Sequence, residues 1–466
     1  METSKRRSFK MPNSYVIIFG MICICAILTW IVPRGSYDRV VNEAGRSVIV
    51  DGSYHIVESS PVGVIGVFRA LVQGFNRVSD IIFFILFAYG FVYNLMKNGT
   101  FDAMMGALIR KTQNFKIQIV FAIIMIIFGI LGSTMGMSEE TYGMYPVFIG
   151  IAAALGYDAI VGASIVYIGV QIGFASSTLN PFTIGVANQV AEITLSREML
   201  IYRVIILVVM EAIGIIYVWR YASKIKKDPT KSLLYGTEFA NLGAGKSQEE
   251  LVNTEMQPRH IVCGLVFVAV IAIMVWGVIA KGWYIEELAT LFLIGMIVEG
   301  ALGGFGPSEI ATNFIRSSKE MLFGALICGV SRTILIVLQN GMIIDTILYG
   351  AASALQGASG IFSGMLMVVV QNLMNMFIPS GSGQAAATMP IMAPLADLLG
   401  ISRQVACLAF SFGDGYSNMF IPTGVATAAG LMGLPINKWF KWIAPLFGIM
   451  FVMELFWISL AVVIGL

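Results

Sequence analysis

The chain is punctuated by long apolar runs, and these limit its fold more than any other feature. "YVIIFGMICICAILTWIV" (15–32), "IIFFILFAYGFVYNLM" (81–96) and "WIAPLFGIMFVMELFWISLAVVIGL" (442–466) have the length needed to cross roughly 30 Å of hydrocarbon as helices. A spanning segment must satisfy its backbone internally, so only helices or closed barrels qualify. Strand-like alternation is absent, which leaves an all-α polytopic membrane protein. A composition that is 57% apolar and 12% charged, with mean hydropathy +0.83, lies far from that of a soluble domain. The first run ends at Pro33 in "PRGSYDRVV" with no small-residue cleavage site; it reads as a retained span, not a signal peptide.

The net charge of +2 gives no reason to expect a nucleic-acid partner; lipid is the surrounding medium. His55 and His260 have no second ligand at metal spacing. Cys23, Cys25, Cys263, Cys328 and Cys407 lie inside apolar runs without a CxxC pair and read as small buried hydrophobes.

Windows of about twenty residues place crossings near 15–32, 79–96, 158–194, 200–219, 260–280, 285–303, 320–339, 402–432 and 442–464, with 158–194 and 402–432 interrupted. Residues 116–156 and 359–399 differ. Each has two apolar arms joined by a small-residue, polar break, "GSTMGMSEE" in one and "PSGSGQ" in the other, which predicts helical hairpins that enter and return on one side. With "SKRRSFK" cytoplasmic, this map puts 19 of the 29 Lys and Arg residues inside, as the positive-inside rule requires. Residues 220–258, polar and basic at the start, form a cytoplasmic linker near anionic lipid.

The halves resemble each other at a shift of about 244 residues. Pro146 falls on Pro390, Leu155-Gly156 on Leu399-Gly400, Gly169 on Gly413 and Glu211 on Glu454; upstream, Asn98-Gly99 lies near Asn340-Gly341. The predicted units are 1–219 and 259–466, with 260–280 unpaired, so the second copy is turned over. Short amphipathic stretches (61–77 and 307–319) follow the first span of each unit. Inverted repeats are an architecture of secondary transporters.

Helices can break at mid-membrane only around a cavity. The candidate site therefore gathers Ser133, Thr134, Ser138, Glu139 and Glu140 at the first tip and Ser380, Ser382 and Gln384 at the second. Ser176, Ser177, Thr178 and Asn180 come from "GFASSTLNPFT" (173–183), and Asp414, Asn418 and Thr423 from "GDGYSNMFIPTG" (413–424). Carbonyls and hydroxyls at such breaks suit a small cation, and helix N-termini suit a carboxylate. Ser138 could cap a helix whose first turn welcomes acids, but two intramembrane carboxylates still need a proton, counter-charge or cationic ligand. Arg332, the one basic residue that reads as deep in a span, could hold a substrate carboxylate or pair with an acid such as Glu299. Glu211 and Glu454 read as structural pairing or subunit contact. Trp30, Trp219, Trp283, Trp439 and Trp442 read as interfacial anchors.

"STMGMSEET", "SSTLNPFTIGVA", "MNMFIPSGSGQAAATMPIMAPLADLLGISRQV" and "FSFGDGYSNMFIPT" resemble the YfcC-type transporters, which are related to anaerobic four-carbon dicarboxylate carriers, and the resemblance covers nearly the whole chain. It implies a homodimer whose scaffold holds a transport domain of hairpins and broken helices moving by an elevator mechanism. It also implies basic amino acid exchange, arginine against ornithine among the cases, while more distant carriers move succinate or fumarate. A dicarboxylate site should avoid neighbouring acids, so Glu139, Glu140 and Asp414 favour arginine, ornithine or lysine. The competing reading is a sodium- or proton-coupled carboxylate carrier in which these acids bind the coupling ion. No nucleophile accompanied by a base at motif spacing suggests an enzyme, and no cofactor is called for beyond a coupling Na+ or H+. A prokaryotic inner membrane with the N-terminus cytoplasmic is the expected location.

Overall fold

A computed structural model describes residues 13–41, 47–50, 52–58, 61–112, 117–237, 253–281, 283, 285–355 and 360–466. The basic N-terminal segment, the linker's middle (238–252) and the expected first residue of each hairpin (116 and 359) lie outside these. The chain opens with α1 (Ser14–Ile31) and four short strands, β1 (Gly35–Ser36), β2 (Arg39–Val41), β3 (Ser47–Ile49) and β4 (His55–Ile56). β1 pairs antiparallel with β4, and β2 with β3. Strands of two or three residues are too short to leave a period-two signal in the sequence.

The remaining regular elements among the described residues are helices. The first half continues with α2 (Val64–Arg77), α3 (Ser79–Lys97), α4 (Thr100–Thr112), α5 (Ile117–Met135), α6 (Tyr145–Ala154), α7 (Ala159–Ala175), α8 (Ile184–Val190) and α9 (Arg197–Lys227). The second comprises α10 (Pro258–Lys281), α11 (Ile285–Leu302), α12 (Pro307–Asn340), α13 (Ile344–Leu355), α14 (Ile361–Phe377), α15 (Gly381–Leu398), α16 (Arg403–Tyr416), α17 (Pro422–Leu431) and α18 (Ile436–Val463). Among the described residues, α3, α5, α9, α12 and α18 are each long and apolar enough to cross a membrane.

Two helices sit at the centre. Every residue of α7 except Phe174 is buried, and α16 is buried from Val405 to Tyr416; helices apolar on all sides belong inside. The matched Leu-Gly pairs explain how both begin. Gly156 and Gly400 have φ of +77° and +70°, the left-handed conformation that closes α6 and α15. Tyr157 N–H then reaches back to the Ala152 carbonyl (2.8 Å), and Ile401 N–H to Ala396 (2.9 Å). Two residues after each glycine an N-cap starts the next helix: Asp158 accepts from Val161 N–H (3.0 Å) and Ser402 from Val405 N–H (3.2 Å).

Packing repeats in the same order. In the first half α5, α6 and α9 pack on α7; in the second α14, α15 and α18 pack on α16. The α5–α7 contact depends on small residues: a Cβ on Gly173 would stand 2.0 Å from the Gly129 carbonyl oxygen. Helices α9 and α18 run antiparallel. Tyr202 hydroxyl donates to the Trp457 carbonyl (2.5 Å) and Tyr217 hydroxyl to Trp442 (2.7 Å), so as one residue number rises its partner's falls. Around this group α1, α2, α3 and α11 pack with α12 in a second layer.

Several expectations change in detail. The matched prolines differ in role: Pro146 opens α6, whereas Pro390 lies inside α15, which Ser380 starts earlier by accepting from Gly383 N–H. The stretch 307–319 is no separate amphipathic piece but the first part of the unbroken α12, while 61–77 does break from α3, at Val78. Helix α9 runs beyond 219 to Lys227, and its last turn carries Lys224, Lys226 and Lys227, placed to complement the negative end of the helix dipole. Trp439 and Trp442 are buried, not interfacial; Trp442 indole N–H donates to Ser164 Oγ (2.9 Å) and Trp439 meets Tyr167 edge-on.

Candidate functional site

The first break begins where α7 stops at Ala175, and a hairpin tip holds it. Ser133 Oγ, at the end of α5, donates to the Ser176 carbonyl (2.9 Å) and lies 3.1 Å from Thr178 Oγ1. Thr178 and Leu179 N–H both donate to the Ser133 carbonyl (2.9 and 3.2 Å). Asn180 Oδ1 accepts from Phe182 and Thr183 N–H, and Ser177 Oγ lies 3.0 Å from Thr183 Oγ1. Thr134 Oγ1 bonds back to the Ile130 carbonyl. Ser133, Thr134, Ser176, Ser177, Thr178 and Asn180 thus satisfy one another and the backbone around the break, and none of them lines the cavity described next.

The second break follows Tyr416 at the end of α16. Asn375 of α14 spans it, with its amide donating to the Asp414 carbonyl (2.9 Å), Ser417 Oγ (2.6 Å) and Asn418 Oδ1 (2.9 Å). The two breaks touch: Ser176 Oγ lies 2.6 Å from the Tyr416 hydroxyl, and Ser411 Oγ donates to the Ala175 carbonyl (2.8 Å). The C-terminal turns of α7 and α16 therefore pack against each other and bring together two negative dipole ends.

Beside this junction is a cavity of about 180 Å³. It is lined by Ser138 and Glu139 of the first tip, Ser380 and Gly381 of the second, and Asp414, Asn418 and Thr423 of the second break. Tyr142, Tyr145, Tyr167, Gln171, Asn375, Ser331, Thr427 and Arg332 add to its polar wall. Four buried oxygens on that wall have no hydrogen-bond partner: Gln171 Oε1, Asn375 Oδ1, Asp414 Oδ2 and Thr423 Oγ1. Orphaned buried acceptors are rare enough to require an explanation, and here all four belong to residues that line one space.

The positive elements are fewer and lie apart from these oxygens in the sequence. Arg332 comes from α12 and lies within electrostatic reach of Glu139. Ser380 and Gly381 present the N-terminus of α15, a favourable place for an anion. A Cβ on Gly381 would fall 2.8 Å from Thr183 Cγ2 and 3.1 Å from Asp414 Oδ2, so only glycine lets the second tip approach both breaks. Glu299 does not partner Arg332; it accepts from Asn98 Nδ2 (2.5 Å).

The remaining candidates lie elsewhere. Gln384 donates to Gln371 Oε1 (2.8 Å) and to its carbonyl, tying the arms of the second hairpin, and Ser382 is exposed. The Glu140 side chain lies outside the described residues. Ser138 precedes a single 3-10 segment, Glu139–Met144, and not an α-helix; its carbonyl accepts from Thr141 N–H and hydroxyl. Besides the half-buried Arg332 there is a fully buried cation. Arg203 of α9 is 0% exposed, and its Nη1 donates to the Ser177 carbonyl (2.8 Å) at the first break. Seven residues into its helix, it reads from sequence as a flanking charge. Gln171, a single amide inside an apolar run, carries no motif that would have marked it, and Asn375, at the start of the quoted "MNMFIPSGSGQ", lies in the helix before the predicted break.

The family description of the C4-dicarboxylate anaerobic carriers (DcuC) matches residues 11–463. An Escherichia coli protein named "Putative basic amino acid antiporter YfcC" is 33% identical, the alignment covering 100% of this chain and 98% of that protein. An uncharacterized protein of Haemophilus influenzae is 29% identical, with 96% of each chain covered. Among solved structures, MtrF of Neisseria gonorrhoeae, described within a class of antimetabolite efflux pumps, aligns over 98% of this chain and 96% of its own at 16% identity and TM-score 0.44. The YdaH transporter of Alcanivorax borkumensis aligns over 98% and 99% at 12% identity and TM-score 0.45.

Proposed function

This chain belongs to the C4-dicarboxylate anaerobic carrier family and is an integral membrane transporter, not an enzyme, and we propose that its cargo is a basic amino acid, moved by exchange. The observation that carries this reading is that four residues of one cavity wall each hold a buried, unpartnered oxygen, with Glu139 on the same wall and the C-termini of α7 and α16 beside it. A wall of acceptors calls for a guest rich in donors, and an ammonium or guanidinium group supplies them. Arg332 and the N-terminus of α15, which line the same cavity, suit the α-carboxylate. The wording of the E. coli relative's name points the same way.

The motion we propose is of the elevator type, with α5–α9 and α14–α18 carrying the cavity against a scaffold around α12. The recurring packing order on α7 and α16, and the antiparallel course of the matched helices α9 and α18, support an inverted repeat as its basis. A homodimer in a prokaryotic inner membrane with the N-terminus cytoplasmic completes the reading.

A second reading, an ion-coupled carboxylate carrier, is favoured by Arg332 and by the family's description. Uptake of labelled arginine into proteoliposomes loaded with ornithine, arginine or nothing, repeated with succinate and with a sodium gradient, separates the two. Exchange of arginine that depends on an internal basic amino acid is the expected result; movement of succinate without arginine would reverse the assignment.

A further inference from the structure

Glu211 and Glu454 occupy corresponding places in α9 and α18, the helices that pack on the outside of α7 and α16. Glu211 is 5% exposed and Glu454 0%. Neither oxygen of Glu211 has a hydrogen-bond partner; Glu454 accepts from Asn372 Nδ2 (2.9 Å) through one oxygen, and its other oxygen has none. Neither residue lines the substrate cavity. Facing Glu211 from α5 is the backbone of Gly129, where a Cβ would fall 2.9 Å from Oε2; facing Glu454 from α14 is the Asn372 amide. From α16 the Tyr416 phenol is the one titratable group within electrostatic reach of both, and its hydroxyl is already engaged with Ser176. No lysine, arginine or histidine among the described residues bonds to either.

A carboxylate buried without a cation carries a desolvation penalty that a neutral carboxyl escapes. Two such groups, each resting on a hairpin arm beside a broken helix, are poorly explained as structural ion pairs, because among the described residues neither bonds to a cation. We propose that Glu211 and Glu454 are proton-binding sites that couple transport to a proton gradient, separate from the cavity that holds the substrate. Each carboxylate takes one proton from water on one side of the membrane, is buried as the neutral acid in the conformation seen here, and returns that proton to water on the other side. The register of α9 on α18 sets the two residues about six positions apart, about 9 Å along the helix axis, so each carries its own proton. This inference rests on the transporter reading but not on the identity of the cargo.

The test uses the full-length protein in proteoliposomes containing a pH-sensitive dye, with labelled arginine as the probe. Wild type should accumulate arginine several-fold under an imposed pH gradient and carry protons with it. Glu211→Gln and Glu454→Gln, which mimic the permanently protonated acid, should each lose at least tenfold in gradient-driven accumulation, while gradient-free arginine exchange stays within twofold. Gradient-driven accumulation unchanged in both variants, or exchange in wild type that ignores the gradient, would overturn the proton sites and leave the transporter reading standing. Absence of any arginine or succinate flux in wild type would instead remove both cargo readings, and the carbodiimide measurement below then decides the proton sites. Should a glutamine variant fail to assemble, wild type treated near neutral pH with a hydrophobic carbodiimide, which attacks protonated buried carboxyls, decides the matter. Adducts on Glu211 and Glu454, with loss of gradient-driven uptake, support the proposal; unmodified side chains count against it.

Discussion

The hydroxyl of Tyr416 lies 2.6 Å from Ser176 Oγ, joining the broken helix of one half of the chain to that of the other. Both groups are buried, so removing one leaves its partner stranded. Tyr416→Phe should lower the stability of the purified protein by about 1–3 kcal/mol, read as an earlier denaturation midpoint in detergent. An unchanged midpoint would show that the two halves are not held at this point.

Asp414 and Glu139 should be felt in binding before stability. Asp414→Asn removes a charge from the acceptor wall, and a lost charge-assisted hydrogen bond of about 1.5–3 kcal/mol corresponds to about a ten- to hundredfold weaker affinity. Glu139→Gln should act in the same direction. Scintillation proximity binding of labelled arginine measures both, with size-exclusion profiles as the control for assembly.

Arg332 makes a separable prediction. If its planar guanidinium holds the substrate carboxylate, Arg332→Lys loses the two-point contact and arginine binding weakens about tenfold. Agmatine, which is arginine without the α-carboxylate, should compete poorly in wild type and almost as well as arginine in the variant. Equal competition by agmatine in wild type would place the carboxylate elsewhere.

Much of this arrangement is legible in the sequence because breaks and caps are local. "GFASSTLNPFT" and "GDGYSNMFIPTG" mark the interruptions after Ala175 and Tyr416, and the matched Leu-Gly pairs mark the turns that precede α7 and α16. What the sequence does not show is which polar residues face the cavity and which face one another. Ser133, Ser176 and Thr178 look like site residues and serve the backbone, because a broken helix must first satisfy its own donors. Gln171, Asn375 and Tyr167 come to the cavity only through helix packing, and the buried position of Arg203 depends on where α9 meets the first break.

Two glycines test the close approaches. Gly381→Ala would press a methyl group against Thr183 and Asp414, and should slow arginine uptake several-fold in a chain that still assembles. Gly173→Ala would collide with the rigid backbone of Gly129. It should destabilise by about 1–3 kcal/mol or more, seen as reduced yield of monodisperse protein.

The contrast between α12 and its counterpart has a mechanical side. At 34 residues α12 is about 51 Å long, well beyond the hydrocarbon slab, and it runs without interruption from Glu320, which holds the Tyr89 hydroxyl at 2.6 Å, to Arg332 on the cavity wall. Its counterpart, α2 followed by α3, is jointed at Val78, which also lines the cavity. One wall is thus a stiff pushrod and the other a hinge, so a change in bilayer thickness that tilts the rod would move the guanidinium directly, leaving the jointed side free to yield.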